Sequence, residues 1–171
     1  VDIKEEFCSH ELLFRPICVE DGAALFDSVS SNSFPNSLPL SRLSTLDDAK
    51  QWCADRAAQW LTGDCFVWTC RRICDLSTVG QVTLLPQSHQ LALAYWISPQ
   101  YWGQGIAVEM CQAVLRQASL SGYRGLIWAG VHNWNHRSQR VLRKLGFTER
   151  LNTDQSDVNE YVVMIGADLS I

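Results

Sequence analysis

The chain has 171 residues, 47% of them hydrophobic, which suits one globular domain over residues 1–171 and excludes disorder as the starting assumption. Its formal net charge is −4 and it has no Lys/Arg-rich run, which argues against nucleic acid or an anionic membrane as a partner. No apolar run approaches the roughly 18 residues of a membrane span and no signal-peptide core opens the chain, so the expected location is cytoplasmic.

Residues 11–18 alternate as a first strand, with Leu12, Phe14 and Pro16 on one side and Leu13, Arg15 and Ile17 on the other. Val19, Glu20 and Asp21 lead into a short helix carrying Ala24, Leu25 and Val29. Residues 30–44 are rich in Ser, Asn and Pro, and a loop of that length inside a compact domain is often functional. Thr45 opens the next helix, where Thr45 and Asp48 resemble a capping box. Leu46, Ala49, Cys53, Ala57 and Trp60 give this helix one apolar face, and Gly63 ends it. Trp52 and Trp60 are eight apart and read as core rather than cleft.

Three strands follow at 65–73, 79–85 and 91–97, separated by short polar turns in the manner of an antiparallel meander. The helical pattern is strong over 104–120, with Ile106, Met110, Val114 and Ala118 in line and Ser121-Gly122 as its stop. A buried strand at 125–131, a helix at 135–145 ended by Gly146, and strands at 147–150 and 161–165 complete the chain. The order predicts an α/β (α+β) fold with a mixed sheet of about seven strands and about four helices. The strands at 91–97 and 125–131 are joined through a helix and are expected to be parallel.

The stretch 101–109, YWGQGIAVE, is a glycine-rich turn between a strand and a helix. Such a turn gathers unpaired N–H groups at the positive end of the helix dipole, which makes a natural phosphate site. It is not a dinucleotide fingerprint: Gly103 and Gly105 are followed by Val108 where the third glycine belongs, and no acidic residue ends the next strand. No P-loop run is present either. The seven cysteines, at 8, 18, 53, 65, 70, 74 and 111, are odd in number and match no familiar zinc spacing, so they read as reduced, mostly buried thiols with no metal.

YWGQGIAVEM followed by NWNHRSQRVLRKLGF resembles the N-acetyltransferases of the GNAT superfamily, and most of all the branch that acetylates the N-termini of ribosomal proteins. The specific part of the resemblance lies within 95–147. It implies a mostly antiparallel mixed sheet, splayed into a V, with acetyl-CoA as acetyl donor lying in the V. The superfamily loop Q/R-x-x-G-x-G/A falls here on Trp102, Gly105 and Ala107, so the first position departs from the consensus. The implied cofactor-binding set is Trp96, Ile97 and Ser98 through backbone, then Trp102, Gly103, Gln104, Gly105, Ile106 and Ala107, with Asn135 and Ser138. The resemblance also implies a bulge near Trp96 or Ile97 whose N–H polarises the thioester carbonyl.

Many members carry a catalytic Tyr in the last helix, and Leu142 stands at that position here. Ser138, one turn earlier on the same face, becomes the candidate acid or sulfur-side donor; the alternative is a helix-start serine bonded only to backbone. Asn135 contacts pantetheine, caps the helix, or does both. Glu109, in the first turns of the helix after the loop, is the second catalytic candidate, drawing a proton from the amine through water, or else a structural carboxylate. His132 is an alternative base. The acceptor wall is expected from residues 30–44 and 151–160, where Asp154, Asp157 and Glu160 can attract a cationic amine.

The leading acceptor is a protein N-terminal α-amine. The alternatives are a small amine (polyamine, aminoglycoside or amino-acid analogue) and, without turnover, an acetyl-CoA-binding module. A monomer or a homodimer is expected.

Overall fold

The computed structural model describes residues 3–151 and 156–166. Strands β1 (Phe7–Cys8), β2 (Leu12–Pro16), β3 (Phe66–Arg72), β4 (Thr78–Pro86), β5 (Leu91–Ile97), β6 (Gly125–His132), β7 (Thr148–Arg150) and β8 (Val158–Ile165) form one open sheet in the order β1-β2-β3-β4-β5-β6-β8-β7. Only β5 and β6 are parallel neighbours; every other pair is antiparallel. The meander and the parallel crossover therefore stand as the strand pattern predicted. β1 was not foreseen, because two residues are too few to show an alternation. β8 begins three residues before the expected strand at 161. Asp154 lies outside the described residues.

Four helices cover the two faces. On one face, α3 (Ile106–Leu120) and α4 (His136–Lys144) pack on the larger core. The predicted line Ile106, Met110, Val114 and Ala118 is buried there, with Cys111 and Leu115 beside it. On the other face, α1 (Gly22–Val29) and α2 (Leu46–Thr62) close a second core over Ile17, Val67 and Trp96, using Leu25, Val29, Ala49 and Cys53. The Thr45–Asp48 capping box starts α2, and Gly63 in the left-handed region ends it. Leu46 departs from the expected apolar face and stays exposed. Trp60 packs edge-on to Phe66 and Trp68, while Trp52 packs on the second core.

Four of the seven cysteines, Cys53, Cys65, Cys70 and Cys111, are buried and all described thiols are free. Burial pushes the Cys53 thiol up to about 12 and raises those of Cys65, Cys70 and Cys111, so they behave as apolar core groups.

A polar chain runs through the second core. The Asp21 carboxylate is buried and accepts from Arg15 Nη2 at 2.5 Å, Thr69 Oγ1 at 2.7 Å and Cys18 N at 2.9 Å. Thr69 in turn accepts from Gln81 Nε2 at 3.1 Å, and Gln81 Oε1 accepts from Trp96 Nε1 at 3.0 Å. Each donor meets an acceptor, so burial of these groups is compensated and the indole of Trp96 is held in one orientation. The β4–β5 register is unbroken from Gly80↔Ile97 to Pro86↔Leu91, so the bulge expected near Trp96 or Ile97 is absent. The register shift falls instead between Cys70 and Arg71, in the β3–β4 ladder. Gly80 permits a close approach here: a Cβ on it would sit 2.1 Å from the Trp96 carbonyl oxygen.

Asp21→Ala strips Arg15, Thr69 and the Cys18 amide of their common acceptor. It is expected to lower the unfolding free energy by about 3–5 kcal/mol, read as a shifted urea midpoint.

Candidate functional site

β5 and β6 pair only at Leu91↔Ile127 and Ala92↔Trp128, then part. On the far side of β5, Ser98 N–H donates to Val79 O at 2.8 Å. The two-residue pleat turns the backbone groups of Trp96 the same way, toward β4, and turns those of Tyr95 and Ile97 toward the gap. The Ile97 carbonyl is already taken by Trp102 Nε1 at 2.9 Å. The groups open to the gap at this end are thus those of Tyr95 and the Ile97 N–H, rather than the set of Trp96, Ile97 and Ser98 expected from sequence.

A 3-10 turn, Pro99–Tyr101, carries the chain into the glycine loop. Gly103 and Gly105 sit at φ +75° and +77°, and a Cβ on either would meet no protein atom within 4 Å. Backbone conformation, not crowding, is what demands glycine at both. Gly105 is the N-cap of α3 and offers no capping side chain. The amides of residues 104–107, including those of Gln104, Ile106 and Ala107, make no hydrogen bond among the described residues. They are free donors at the positive end of a 15-residue helix, the arrangement that holds a phosphate.

The departure at Trp102 has a structural counterpart. The Arg137 guanidinium stacks on the Trp102 ring, 3.7 Å from its centroid. Where the consensus loop has Gln or Arg this chain has an indole, and a guanidinium comes over it from α4 in a cation–π contact.

A cavity of about 310 Å³ joins these elements. Tyr95, Trp96 and Ile97 form its wall on β5, residues 101–108 its loop side, and Phe34, Pro35 and Leu38 an apolar wall from the segment between α1 and α2. α4 contributes Arg137, Ser138, Arg140 and Lys144. The three cations recur at three- and four-residue steps and so share a helix face. Among the described lining residues there is no carboxylate, in a chain whose formal net charge is −4.

Asn135 lines the cavity and caps α4, its Oδ1 accepting from Ser138 N at 3.2 Å. Ser138 Oγ makes no hydrogen bond to backbone among the described residues. Leu142, one turn on, is fully buried in the main core. The Tyr95 hydroxyl is buried without a partner in hydrogen-bond geometry. Burial raises the Tyr95 phenol strongly, Cys111 adds to the rise, and the nearby Ser138 side chain offsets part of it.

Glu109 lies elsewhere. Its Oε1 accepts from Ser9 Oγ at 2.5 Å and from Glu11 N at 2.7 Å, tying α3 to the β1–β2 turn, and it is not among the cavity-lining residues. His132 stacks on Trp134, with ring centroids 5.5 Å apart, and it is Trp134 that reaches the cavity. Asp157 is exposed, and Glu160 pairs with Gly130 and Arg150 in the sheet. Sequence reasoning overlooked Tyr95 and the cationic face of α4, while Phe34, Pro35 and Leu38 come from the 30–44 segment expected to form the acceptor wall. The spacing of 137, 140 and 144 was a usable signal for the cationic face.

Residues 11–148 match the Acetyltransferase (GNAT) domain family. The uncharacterised N-acetyltransferase YoaA of Bacillus subtilis (strain 168) is 26% identical over 139 residues, covering 80% of this chain and 78% of that protein. Among solved structures, RimL, a ribosomal L7/L12 alpha-N-protein acetyltransferase in complex with coenzyme A, superposes with a TM-score of 0.83 at 22% identity, over 96% of this chain and 100% of that one. The microcin C7 self-immunity acetyltransferase MccE, in complex with acetyl-CoA and AMP, gives 0.80 at 16% identity, over 92% and 94%.

The engagement of Glu109 predicts a stability effect. Glu109→Ala should lower the unfolding free energy by about 2 kcal/mol, seen as a fall in melting temperature. Any turnover of the folded protein should stay within about twofold, since no contact of the cavity is removed.

Proposed function

This chain belongs to the GNAT acetyltransferase family, and we propose that it moves an acetyl group from acetyl-CoA by direct attack of a primary amine, with a protein N-terminal α-amine as acceptor. The observation that carries this reading is a cavity lined together by residues 104–107, Ser138 and the apolar side chains of Phe34, Pro35 and Leu38. The free amides suit a pyrophosphate, the Ser138 hydroxyl a thioester sulfur, and the apolar side chains the surroundings of an incoming amine.

The amides of Gln104 to Ala107 would receive the pyrophosphate at the start of α3. Arg137, Arg140 and Lys144 would hold the remaining phosphate charge, and they explain why a chain of net −4 presents a cationic wall at this place. The backbone of Tyr95 and the Ile97 N–H would pair with pantetheine as a strand does with its neighbour, occupying the gap that β6 leaves. The Ile97 N–H can also stabilise the oxyanion of the tetrahedral intermediate.

In the reaction the amine nitrogen bonds to the thioester carbonyl carbon and sheds one proton to water, the C–S bond breaks with its electron pair on sulfur, and the sulfur gains one proton, giving an amide and the free thiol. Ser138 Oγ would donate to that sulfur. Asn135 fixes the first turn of α4, which sets where Ser138 points. Glu109 would act through architecture, holding the start of α3 to the β1–β2 turn.

Support for a protein acceptor comes from likeness of fold to the ribosomal-protein acetyltransferase RimL. The apolar Phe34–Leu38 wall also suits the side chain next to an α-amine better than a polycation.

Incubating the protein with acetyl-CoA and a peptide bearing a free N-terminus should release thiol and acetylate the peptide's α-nitrogen. A peptide blocked at its N-terminus should be inert. Faster turnover with spermidine than with any peptide would reassign the acceptor. Arg140→Ala combined with Lys144→Ala should raise KM for acetyl-CoA about tenfold and more steeply at low salt, with kcat little changed.

A further inference from the structure

Trp102 lines the cavity at the start of the glycine loop, and its indole makes two contacts that a phosphate-binding turn does not require. Its Nε1–H donates to the Ile97 carbonyl at 2.9 Å, and its ring lies under the Arg137 guanidinium, 3.7 Å from centroid to carbon. The ring is partly buried against the main core. Beyond Ala92 the gap-facing backbone of β5 has no partner in β6. Among the described residues, Trp102 is the only side chain that hydrogen-bonds to that stretch of backbone, and it takes a single group.

The effect falls on two neighbouring peptide units. The Ile97–Ser98 unit is held at both ends, its carbonyl by Trp102 and its Ser98 N–H by Val79 O at 2.8 Å. The Trp96–Ile97 unit turns its carbonyl to β4, so close that a Cβ on Gly80 would sit 2.1 Å from the oxygen. Its other end, the Ile97 N–H, turns into the gap. With both units held, the direction of the Ile97 N–H is set. With the Ile97 carbonyl taken, that N–H is also the last open group of β5 before the loop.

We propose that Trp102 is a positioning residue for the acetyl group: by holding the Ile97 carbonyl it aims the Ile97 N–H at the thioester oxygen and denies pantetheine a pairing one group too far along β5. The inference rests on the acetyl-transfer reading of the cavity. A pantetheine amide that paired with a free Ile97 carbonyl would slide toward the loop and carry the acetyl group past its donor. Arg137 holds the indole from α4, so the strand end, the loop and the helix share one fixed point. Attack of the amine moves the carbonyl electron pair onto oxygen, and the Ile97 N–H donates a hydrogen bond to that oxyanion without giving up its proton. The pair returns as the C–S bond breaks and sulfur leaves with the bonding electrons, so neither Trp102 nor Ile97 is changed by the turnover.

Two replacements test this. Trp102→Phe removes the N–H and trims the ring. Benzothienylalanine incorporated at position 102 keeps the shape of the ring and its contact with Arg137 but puts sulfur where the N–H was. Both should lower kcat about tenfold, less than deletion of an oxyanion donor, because the Ile97 N–H is misaimed rather than lost. KM for acetyl-CoA and the Kd for coenzyme A should stay within about twofold, since the amides of 104–107 and the α4 cations are untouched. Wild-type kcat in the benzothienylalanine protein overturns the Trp102 assignment alone, whatever Trp102→Phe does. A Kd for coenzyme A weakened as much as kcat/KM falls also overturns it, by making Trp102 a binding residue. A wild-type protein that binds coenzyme A yet releases no thiol with any amine overturns the acetyl-transfer reading, and this inference with it.

Discussion

β5 and β6 run parallel for two residue pairs and then part, leaving backbone groups of β5 unpaired inside the molecule. The other edges of these strands are fully engaged, β5 with β4 over seven pairs and β6 with β8 over eight, so neither can shift to close the gap. Buried N–H and C=O groups need partners; Trp102 Nε1 meets the Ile97 carbonyl, and the cavity leaves room for a partner to the others. Because the two strands are parallel, their C-terminal ends lie at the same end of the sheet. The helices that follow, α3 and α4, therefore both begin at the mouth of the gap. α4 satisfies its own start with Asn135, whereas α3 begins at Gly105 with no side-chain cap. The only uncapped helix start of the two is the one a phosphate would meet.

Charge is distributed to match. Two carboxylates near the centre of the fold are consumed by structure. Asp21 collects Arg15, Thr69 and a backbone amide under the second core, and Glu109 binds the β1–β2 turn. Arg137, Arg140 and Lys144 of α4 are left facing the cavity. Arg137 is placed further by stacking on Trp102, which also holds the Ile97 carbonyl, so the loop, the strand end and α4 are clamped through one indole. A second indole, that of Trp96, is fixed from the opposite face by the Asp21–Thr69–Gln81 chain. An indole on each side of β5 is thus held by a hydrogen bond, which favours a preformed site over one that must order on binding.

The local pattern carried the architecture far. The alternation of Leu91, Leu93, Tyr95 and Ile97, the three- and four-residue spacing of Ile106, Met110, Val114 and Ala118, and the stops at Gly63 and Gly146 each encode an element in a few consecutive residues. The two motifs around 101–109 and 135–147 were legible because each is contiguous, and they come together at one cavity. What failed to show was of two kinds. β1 is too short to carry a period. The bulge that resemblance placed in β5 is replaced by an unbroken ladder and a register shift in β3–β4, which depends on how strands align rather than on their composition.

The sequence by itself determined the order of elements, the parallel crossover, the glycine turn and, through two motifs, the family. These follow from dihedral preference and from hydrophobic periodicity, both local properties of the chain. Only the tertiary structure decided the use of individual side chains. It turned Glu109 to Ser9 and Glu11, about a hundred positions away in the chain. It set Arg137 over Trp102, buried the Tyr95 hydroxyl without a partner, and folded Phe34 and Leu38 into the cavity wall. Such contacts depend on the angles at which strands and helices pack, and no local pattern fixes those angles. YWGQGIAVE could announce a phosphate site, but whether its glutamate faced the amine or the N-terminal turn was settled by packing.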